Sequence, residues 1–501
     1  MTNMAEHILA IDQGTTSTRA IIFDSSAIPV ASAQTELKQY FPQRGWVEHD
    51  PNEIVDSAIG VSEQAITRSG LAPNDIAAIG IANQRETTIV WERATGRPLA
   101  NGIVWQDRRT ADKCADIAQS IRARDIRQTT GLVIDAYFSA TKLSWLLDAV
   151  PNGRKRAESG ELCFGTVDSW LLWRLTDGDV HAIDSTNASR TMLLNIHDLQ
   201  WDSEMMELFD IPLGMLPEVK SSSGDFGVTD KQIFGSEIPI TAMAGDQHAA
   251  LYGQACFKNG QIKCTYGTGA FVLANSGTIP PLELSEREGL LATLGFQVGS
   301  KRNYAVEGSV FSTGATIQWL RDGLGIISNA AETSEMASLA ESHHGVYFVP
   351  AFVGLGAPHW APHATASITG MTRSTTKYDV VRAALESTAY QVADVIAAME
   401  SGRKRSHEPL RADGGQSANS FAMQFQSDIL DRPVEVANVV ETTARGAALL
   451  AGRGIGLWRS EKEINSLWQA SHCYEPLISE SERTNLRSGW LAAVERSSSI
   501  I

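Results

Sequence analysis

Positive charge is scarce in this chain. Its 501 residues hold 42 Lys and Arg against 58 Asp and Glu, a formal net charge of −16. That balance leaves no broad basic face for nucleic acid or an anionic membrane. A local pocket of hydrogen-bond donors can still take a phosphate. Cysteine is sparse too. Cys114, Cys163, Cys256, Cys264 and Cys473 are scattered, with no CxxC pair. They exclude a disulfide frame and a zinc cluster and read as reduced thiols of a cytoplasmic protein. Met1 to His7 has no apolar signal-peptide core. His343 to Thr372 lacks Asp, Glu, Lys and Arg, but three prolines, four glycines and four histidines interrupt it. A buried strand followed by a rigid loop is expected there, not a membrane span. Also missing are the GxxxxGK[ST] phosphate loop, the HRD motif that a kinase DFG needs beside it, the GxGxxG fingerprint and the HExxH metal motif.

What is present begins near the N-terminus. Within His7–Phe23 two apolar β-branched runs flank a tight turn, and Asp12 to Arg19 carries one carboxylate, one glycine, four hydroxyls and an arginine. The pattern predicts a β-hairpin. Gly14 lets backbone amides approach an anion, the hydroxyls add donors, and Arg19 adds a charged fork. Asp12 could hold a hard cation. The plain alternative is a polar surface hairpin.

A chain this long predicts two large domains, 1–252 and 253–501. Strand-like and helix-like patterns alternate, which implies an α/β core. Asp50-Pro51-Asn52-Glu53 marks a helix start, and the pattern runs to about Arg68. Ile76–Ile81 and Thr87–Trp91 read as strands. The second unit repeats the theme: Gln261–Tyr266 is strand-like and ends in Gly267-Thr268-Gly269. Arg411–Asp413 leads into Gly414-Gly415, then a helix from Asn419 to Leu430 whose N-terminus offers free amides. Val380–Met399 and the small-residue stretch Arg445–Gly456 are further helices. The two hairpin turns echo each other loosely, as two related halves would.

Two constellations carry reactive chemistry. Asp246 ends the apolar run Ile240–Gly245. It could take a proton from a substrate hydroxyl as phosphoryl transfer begins, or cap the Ala-rich helix that follows. Asn83-Gln84-Arg85-Glu86 ends another buried strand, where Arg and Glu could bracket a small polyol or form an ion pair.

Taken together, the residues resemble the glycerol kinases, within the FGGY carbohydrate kinases of the actin–hexokinase–Hsp70 fold. The matching segments, in order, include Ala10–Ser17, Gly45–Pro51, Asn83–Thr88, Thr186–Met192, Ala244–Gln247, Thr265–Gly269, Gly354–Pro358 and Met423–Leu430. The resemblance implies two ribonuclease H-like domains with mixed sheets flanked by helices and the active site in the cleft between them. It implies that ATP, with Mg²⁺, phosphorylates glycerol to sn-glycerol 3-phosphate in a cytoplasmic homodimer or homotetramer, with no nucleic acid and no membrane insertion. Arg85, Glu86, Trp105, Tyr137, Asp246 and Gln247 would contact glycerol, with Phe271 nearby. Thr15, Thr16, Ser17, Arg19 and Thr268 would contact phosphate, and Gly314, Gln318, Gly415 and Asn419 the rest of the nucleotide. Asp12 would face Mg²⁺ and Asp246 would be the general base.

Some positions depart from the family's pattern. His248 stands where Gln is usual, Ala136 and Ala140 where Pro and Gly are, Ala361 where Asp is, and Thr365-Ala366 where Arg-Gly is common. Thr229–Ser236 lacks the glycine-rich loop of members regulated by fructose 1,6-bisphosphate, so no such response is expected. A sister kinase for erythritol or xylulose, and a non-catalytic ATP-binding scaffold, remain the alternative readings.

Overall fold

The computed structural model describes residues 6–119, 122–340, 345–402 and 406–499. Met1–Ala5 and His343–His344, which enter two of the expectations above, lie outside them.

Two mixed sheets organise the chain. The first is built from β1 (His7–Gln13), β2 (Ser17–Phe23), β3 (Pro29–Glu36), β4 (Ile76–Asn83) and β5 (Ile240–Gly245), in the order β5-β4-β1-β2-β3. With it go α1 (Pro51–Ser69), α2 (Ser139–Ala149), α3 (Val167–Leu175), α4 (Ser185–Ala188) and α5 (Asp246–Gly253). The second sheet contains β6 (Ile262–Tyr266), β7 (Ala270–Gly277), β8 (Leu291–Val298), β9 (Lys301–Val310), β10 (Leu410–Asp413), β11 (Val434–Ala437) and β12 (Ala470–Tyr474), in the order β8-β9-β7-β6-β10-β11-β12. Its helices include α6 (Gly314–Asp322), α7 (Lys377–Met399), α8 (Ser420–Leu430), α9 (Thr442–Gly454) and α10 (Glu480–Ser498).

The echo between the halves is a repeat of topology. Antiparallel β1–β2 has β4 parallel to β1, and antiparallel β6–β7 has β10 parallel to β6. Each hairpin therefore stands at the centre of its sheet and turns at the same end as the neighbouring parallel strands finish. Loops at the C-terminal ends of parallel strands converge there, where α/β proteins bind ligands.

Local signals explain the element ends. Asp50 caps α1 by accepting from the Asn52 amide at 2.8 Å, and Gly70 closes the helix in the left-handed region. The strand expected over Thr87–Trp91 runs from Ile89 to Glu92, because Glu86 takes φ 61° and turns the chain first. The uncharged stretch contains a short buried strand, Tyr347–Val349, and then a loop. The stretch 229–236 folds into a single helical turn capped by Asp230. All five cysteines are free. Among the described residues no helix is long and apolar enough to cross a membrane.

The lobes are joined by α9, which follows β11 but packs on β1, β4, β5 and α5. Small residues make this possible. A Cβ added at Gly446 would lie 1.8 Å from the Ala249 carbonyl oxygen, and one at Gly80 would lie 2.2 Å from that of Ala447. Both contacts are with backbone, which cannot swing aside. Gly446→Ala is expected to cost about 1–3 kcal/mol of stability through overpacking, read as a lower midpoint in chemical denaturation.

Candidate active site

The site grows from the ends of β4 and β5. Asn83 closes β4, and its side chain exchanges two hydrogen bonds with Asn187 at 2.9 and 3.0 Å. Asp184 caps α4, and Thr186 on that helix accepts from the Gly245 amide at 2.9 Å. This buried network holds the two strand ends in register. Arg85 and Glu86 leave the end of β4, and Asp246 opens α5 directly after β5.

Arg85 is almost wholly buried and is the hub. Its Nη1 and Nη2 donate to the two carboxylate oxygens of Glu307 on β9, at 2.6 and 3.0 Å. Its Nε lies 3.1 Å from Asp246 Oδ1, and its Nη2 lies 3.4 Å from the Tyr137 hydroxyl. Phe271 stands 5.9 Å from the guanidinium. Arg190, with no exposure, donates from Nε to Glu86 at 2.7 Å and from Nη2 to Glu307 at 3.3 Å. Burial alone would push the Glu307 carboxyl up, but Arg190 and Arg85 together outweigh it and hold it well below the usual carboxylate range. Glu86 moves the other way. Burial raises it more than Arg85 and Arg190 lower it. Its backbone sits at φ 61°, a strained conformation for a non-glycine residue that points to function.

Around this ion cluster stand the aromatic residues named from the sequence. Trp105 and Tyr137 meet edge to face at 5.5 Å, and the Trp105 indole donates to Thr15 Oγ1 at 2.9 Å. Burial raises the Tyr137 phenol far above its ordinary range, so it stays a hydrogen-bond donor. Gln247 takes a 2.5 Å hydrogen bond from Lys263 Nζ on its Oε1. The Asp246 carboxylate accepts from the Gln247 amide at 2.7 Å, while 29% of its side chain stays exposed. It thus serves its helix and still faces solvent. Arg85, Glu86, Trp105, Tyr137, Asp246, Gln247 and Phe271 are brought into one cluster of hydroxyl-matching groups and apolar walls.

The nucleotide candidates divide. A cavity of about 550 Å³ is lined by Thr268, Gly314, Gln318, Gly415 and Asn419, together with Ile317, Arg321 and Ser334. The Gly267–Gly269 turn is pinned to the start of α6, since Gly267 O accepts from the Gly314 amide at 3.1 Å. Asn419 caps α8 and also donates to Thr333 Oγ1 at 3.0 Å. Thr15, Thr16 and Ser17 sit on the other hairpin, outside that cavity wall. Arg19 is not brought to the cavity either. Its Nε and Nη2 donate to Gln34 at 3.0 and 2.6 Å, and Nη1 pairs with Glu441. Asp12 lies opposite Arg19 in the hairpin register. Burial, then Asp246 and Glu441, push its carboxyl up to about 7.

His248 does not line the site. It is buried behind it, with Nε2 3.3 Å from Thr293 Oγ1, and burial followed by Arg85 drives its imidazole well below the usual value, so it is neutral. Sequence reasoning missed Glu307, gave Arg190 no role, and passed over Lys263. A signal existed for Glu307: one carboxylate inside the apolar run Tyr304–Val310, where an unpaired charge does not persist.

Removing that carboxylate leaves two buried guanidinium groups without their shared partner. Glu307→Ala is expected to cost about 3–5 kcal/mol of stability, measured by urea unfolding, and to sharply reduce turnover in any fraction that folds.

Comparison with known proteins accords with this architecture. The family model described as the N-terminal domain of the FGGY family of carbohydrate kinases matches residues 7–253, and that of the C-terminal domain matches 262–455. The chain is 54% identical over 492 residues to glycerol kinase 2 of Thermotoga maritima, covering 98% of this chain and 99% of that one. It is 53% identical over 493 residues to a glycerol kinase of Caldanaerobacter subterraneus, at 98% and 99% coverage. Among solved structures, Plasmodium falciparum glycerol kinase with ADP aligns with a TM-score of 0.91 at 37% identity, covering 99% and 98% of the two chains. From its paired hairpin sheets, its strand-end site and these matches, the chain belongs to the FGGY family of carbohydrate kinases.

Proposed function

We propose that this protein transfers the γ-phosphoryl group of ATP to glycerol, giving sn-glycerol 3-phosphate and ADP. The observation that carries the reading is the Asp246 carboxylate. It is partly exposed, fixed by Arg85 Nε at 3.1 Å, and set beside a buried cluster of donors, acceptors and aromatic walls that match the hydroxyls and carbon edge of a small polyol. The similarity to glycerol kinases over nearly the whole chain supports the same substrate.

In this reading residues 1–252 carry most of the polyol site and residues 253–501 most of the nucleotide site. Glu86 accepts from one glycerol hydroxyl and Arg85 donates to another. Trp105 and Phe271 cover the carbon edge. A hydroxyl left unpaired in such a site costs about 1–3 kcal/mol, which discriminates among polyols. Asp246 takes the proton of the attacking hydroxyl as its oxygen approaches phosphorus. Adenine and ribose occupy the cavity beside Gly314, Gln318, Gly415 and Asn419, with Thr268 at its phosphate end. Thr15, Thr16 and Ser17 meet the terminal phosphate from the opposite hairpin, and Arg19 joins them once it parts from Glu441. Closure of the lobes would expel water that competes with glycerol.

Asp12 suits a divalent cation. Its carboxylate is buried with two other acids near, so its charge is expensive until a cation compensates it. Among the described residues no three His, Cys, Asp or Glu groups could hold an ion by themselves, so the remaining ligands would be phosphate oxygens and water. When bound, Mg²⁺ would neutralise charge developing on the phosphates. We place the enzyme in the cytoplasm as a homodimer or homotetramer, by similarity to its family.

Coupled ADP-release assays with glycerol, dihydroxyacetone, erythritol, xylulose and gluconate test the proposal. Glycerol is expected to give the highest kcat/KM, and a rate at the level without acceptor would overturn it. Asp246→Asn is expected to lower kcat by at least about 10²-fold, measured under saturating substrates. Because Asp12 titrates near 7, it takes up a proton below that pH. The Mg²⁺ concentration for half-maximal rate should therefore rise as pH falls through 7, and a pH-independent requirement would contradict the role of Asp12.

A further inference from the structure

Lys142 has no part in the chemistry above, yet it lies on α2 with no exposure at all. Its Nζ donates to the Tyr137 carbonyl oxygen at 2.8 Å. Among the described residues no carboxylate forms an ion pair with it. A buried ammonium spends much of its hydration free energy, and here it does so for one carbonyl.

That carbonyl belongs to a wall of the candidate polyol site. The Tyr137 amide is tied from the other side, donating to Asp135 Oδ1 at 2.8 Å. Asp135 is itself fixed by Arg108, whose Nη1 and Nη2 reach its two oxygens at 2.5 and 3.1 Å. The Tyr137 ring has Trp105 edge to face at 5.5 Å and the Arg190 guanidinium at 5.6 Å. Both backbone ends of Tyr137 are thus held by charged side chains. The neighbouring Ala136, where the family has proline, gives the loop no ring to stiffen it.

We propose that Lys142 is a positioning residue: by holding the Tyr137 carbonyl it sets the aromatic wall of the polyol pocket, and it does so at a cost in folding stability. This rests on the polyol reading of the site. Burial pushes the Lys142 amine down to about 7, against the opposing pull of Glu86, Asp107, Asp135 and Cys114, the titratable groups that face it. The folded value lies below that of the unfolded chain. The unfolded state therefore binds more protons between the two values, and stability should rise with pH across that window. A lysine kept for stability would behave in the opposite way.

The test is Lys142→Met, assayed in full-length protein with glycerol and ATP alongside wild type, with thermal unfolding of both. The expected result is a glycerol KM raised about tenfold, with kcat and the KM for ATP changed by less than about twofold, and a melting temperature at neutral pH equal to or above wild type. Wild-type glycerol KM should also rise as pH climbs through 7 and the amine loses its charge, a dependence the variant lacks. An unchanged glycerol KM, equal losses for both substrates, or a variant that melts lower or fails to fold overturns the inference. Wild-type turnover is read in the same assay. Its absence with glycerol would strike the proposed activity, whereas normal turnover with an unaltered variant KM strikes this inference alone.

Discussion

The Glu307 carboxylate is the point on which the site depends. It comes from the second sheet and accepts from Arg85, just past the end of β4, and Arg190, just past α4, with every partner buried. Two guanidinium groups so close would repel each other and lose their hydration. One carboxylate between them offsets both penalties and fixes their planes. With Nη1 and Nη2 committed to Glu307, Arg85 presents Nε to Asp246, and Arg190 presents its own Nε to Glu86. The groups that would face the polyol are therefore oriented by a residue that need not touch it. Because Glu307 belongs to the other lobe, the candidate polyol pocket takes its shape only when both halves are folded together.

The rest of the architecture serves the same meeting point. Two hairpins, one per sheet, turn toward the region where β4, β5 and β10 end. Glycines at Gly80, Gly253 and Gly446 let α9 and α5 lie against each other and α9 against β4 at backbone distance, so the join between lobes is close-packed. The carboxylates of Asp12 and Asp246 sit at or beside strand ends, where a charge can be partly buried and still be approached from outside.

Much of this was readable along the chain. The opening hairpin, the start of α1 at Asp50-Pro51, the strand leading to Asp246 and the glycine turns all depend on neighbours within a few residues, and local spacing records such features. Asp246 was read as either base or helix cap; it stands one residue inside α5, whose cap is Gly245, and its carboxylate accepts from the Gln247 amide. What stayed hidden depends on distant partners. Glu307 lies 222 positions from Arg85, and no local pattern links them. No local pattern singles out Lys142, and its burial follows from tertiary packing alone. Arg19 was visible as a cation near a phosphate turn, but its present partners, Gln34 and Glu441, come from a neighbouring strand and from the other lobe.

The central claim is that Asp246, oriented through Arg85 and Glu307, receives a glycerol hydroxyl. It is tested most directly by a crystal structure of the protein with glycerol and a non-hydrolysable ATP analogue. The account predicts a glycerol hydroxyl within hydrogen-bond distance of the Asp246 carboxylate, pointing toward the γ-phosphate, with Arg85 still paired to Glu307. Glycerol bound elsewhere, or an Arg85 released from Glu307 in the complex, would contradict it.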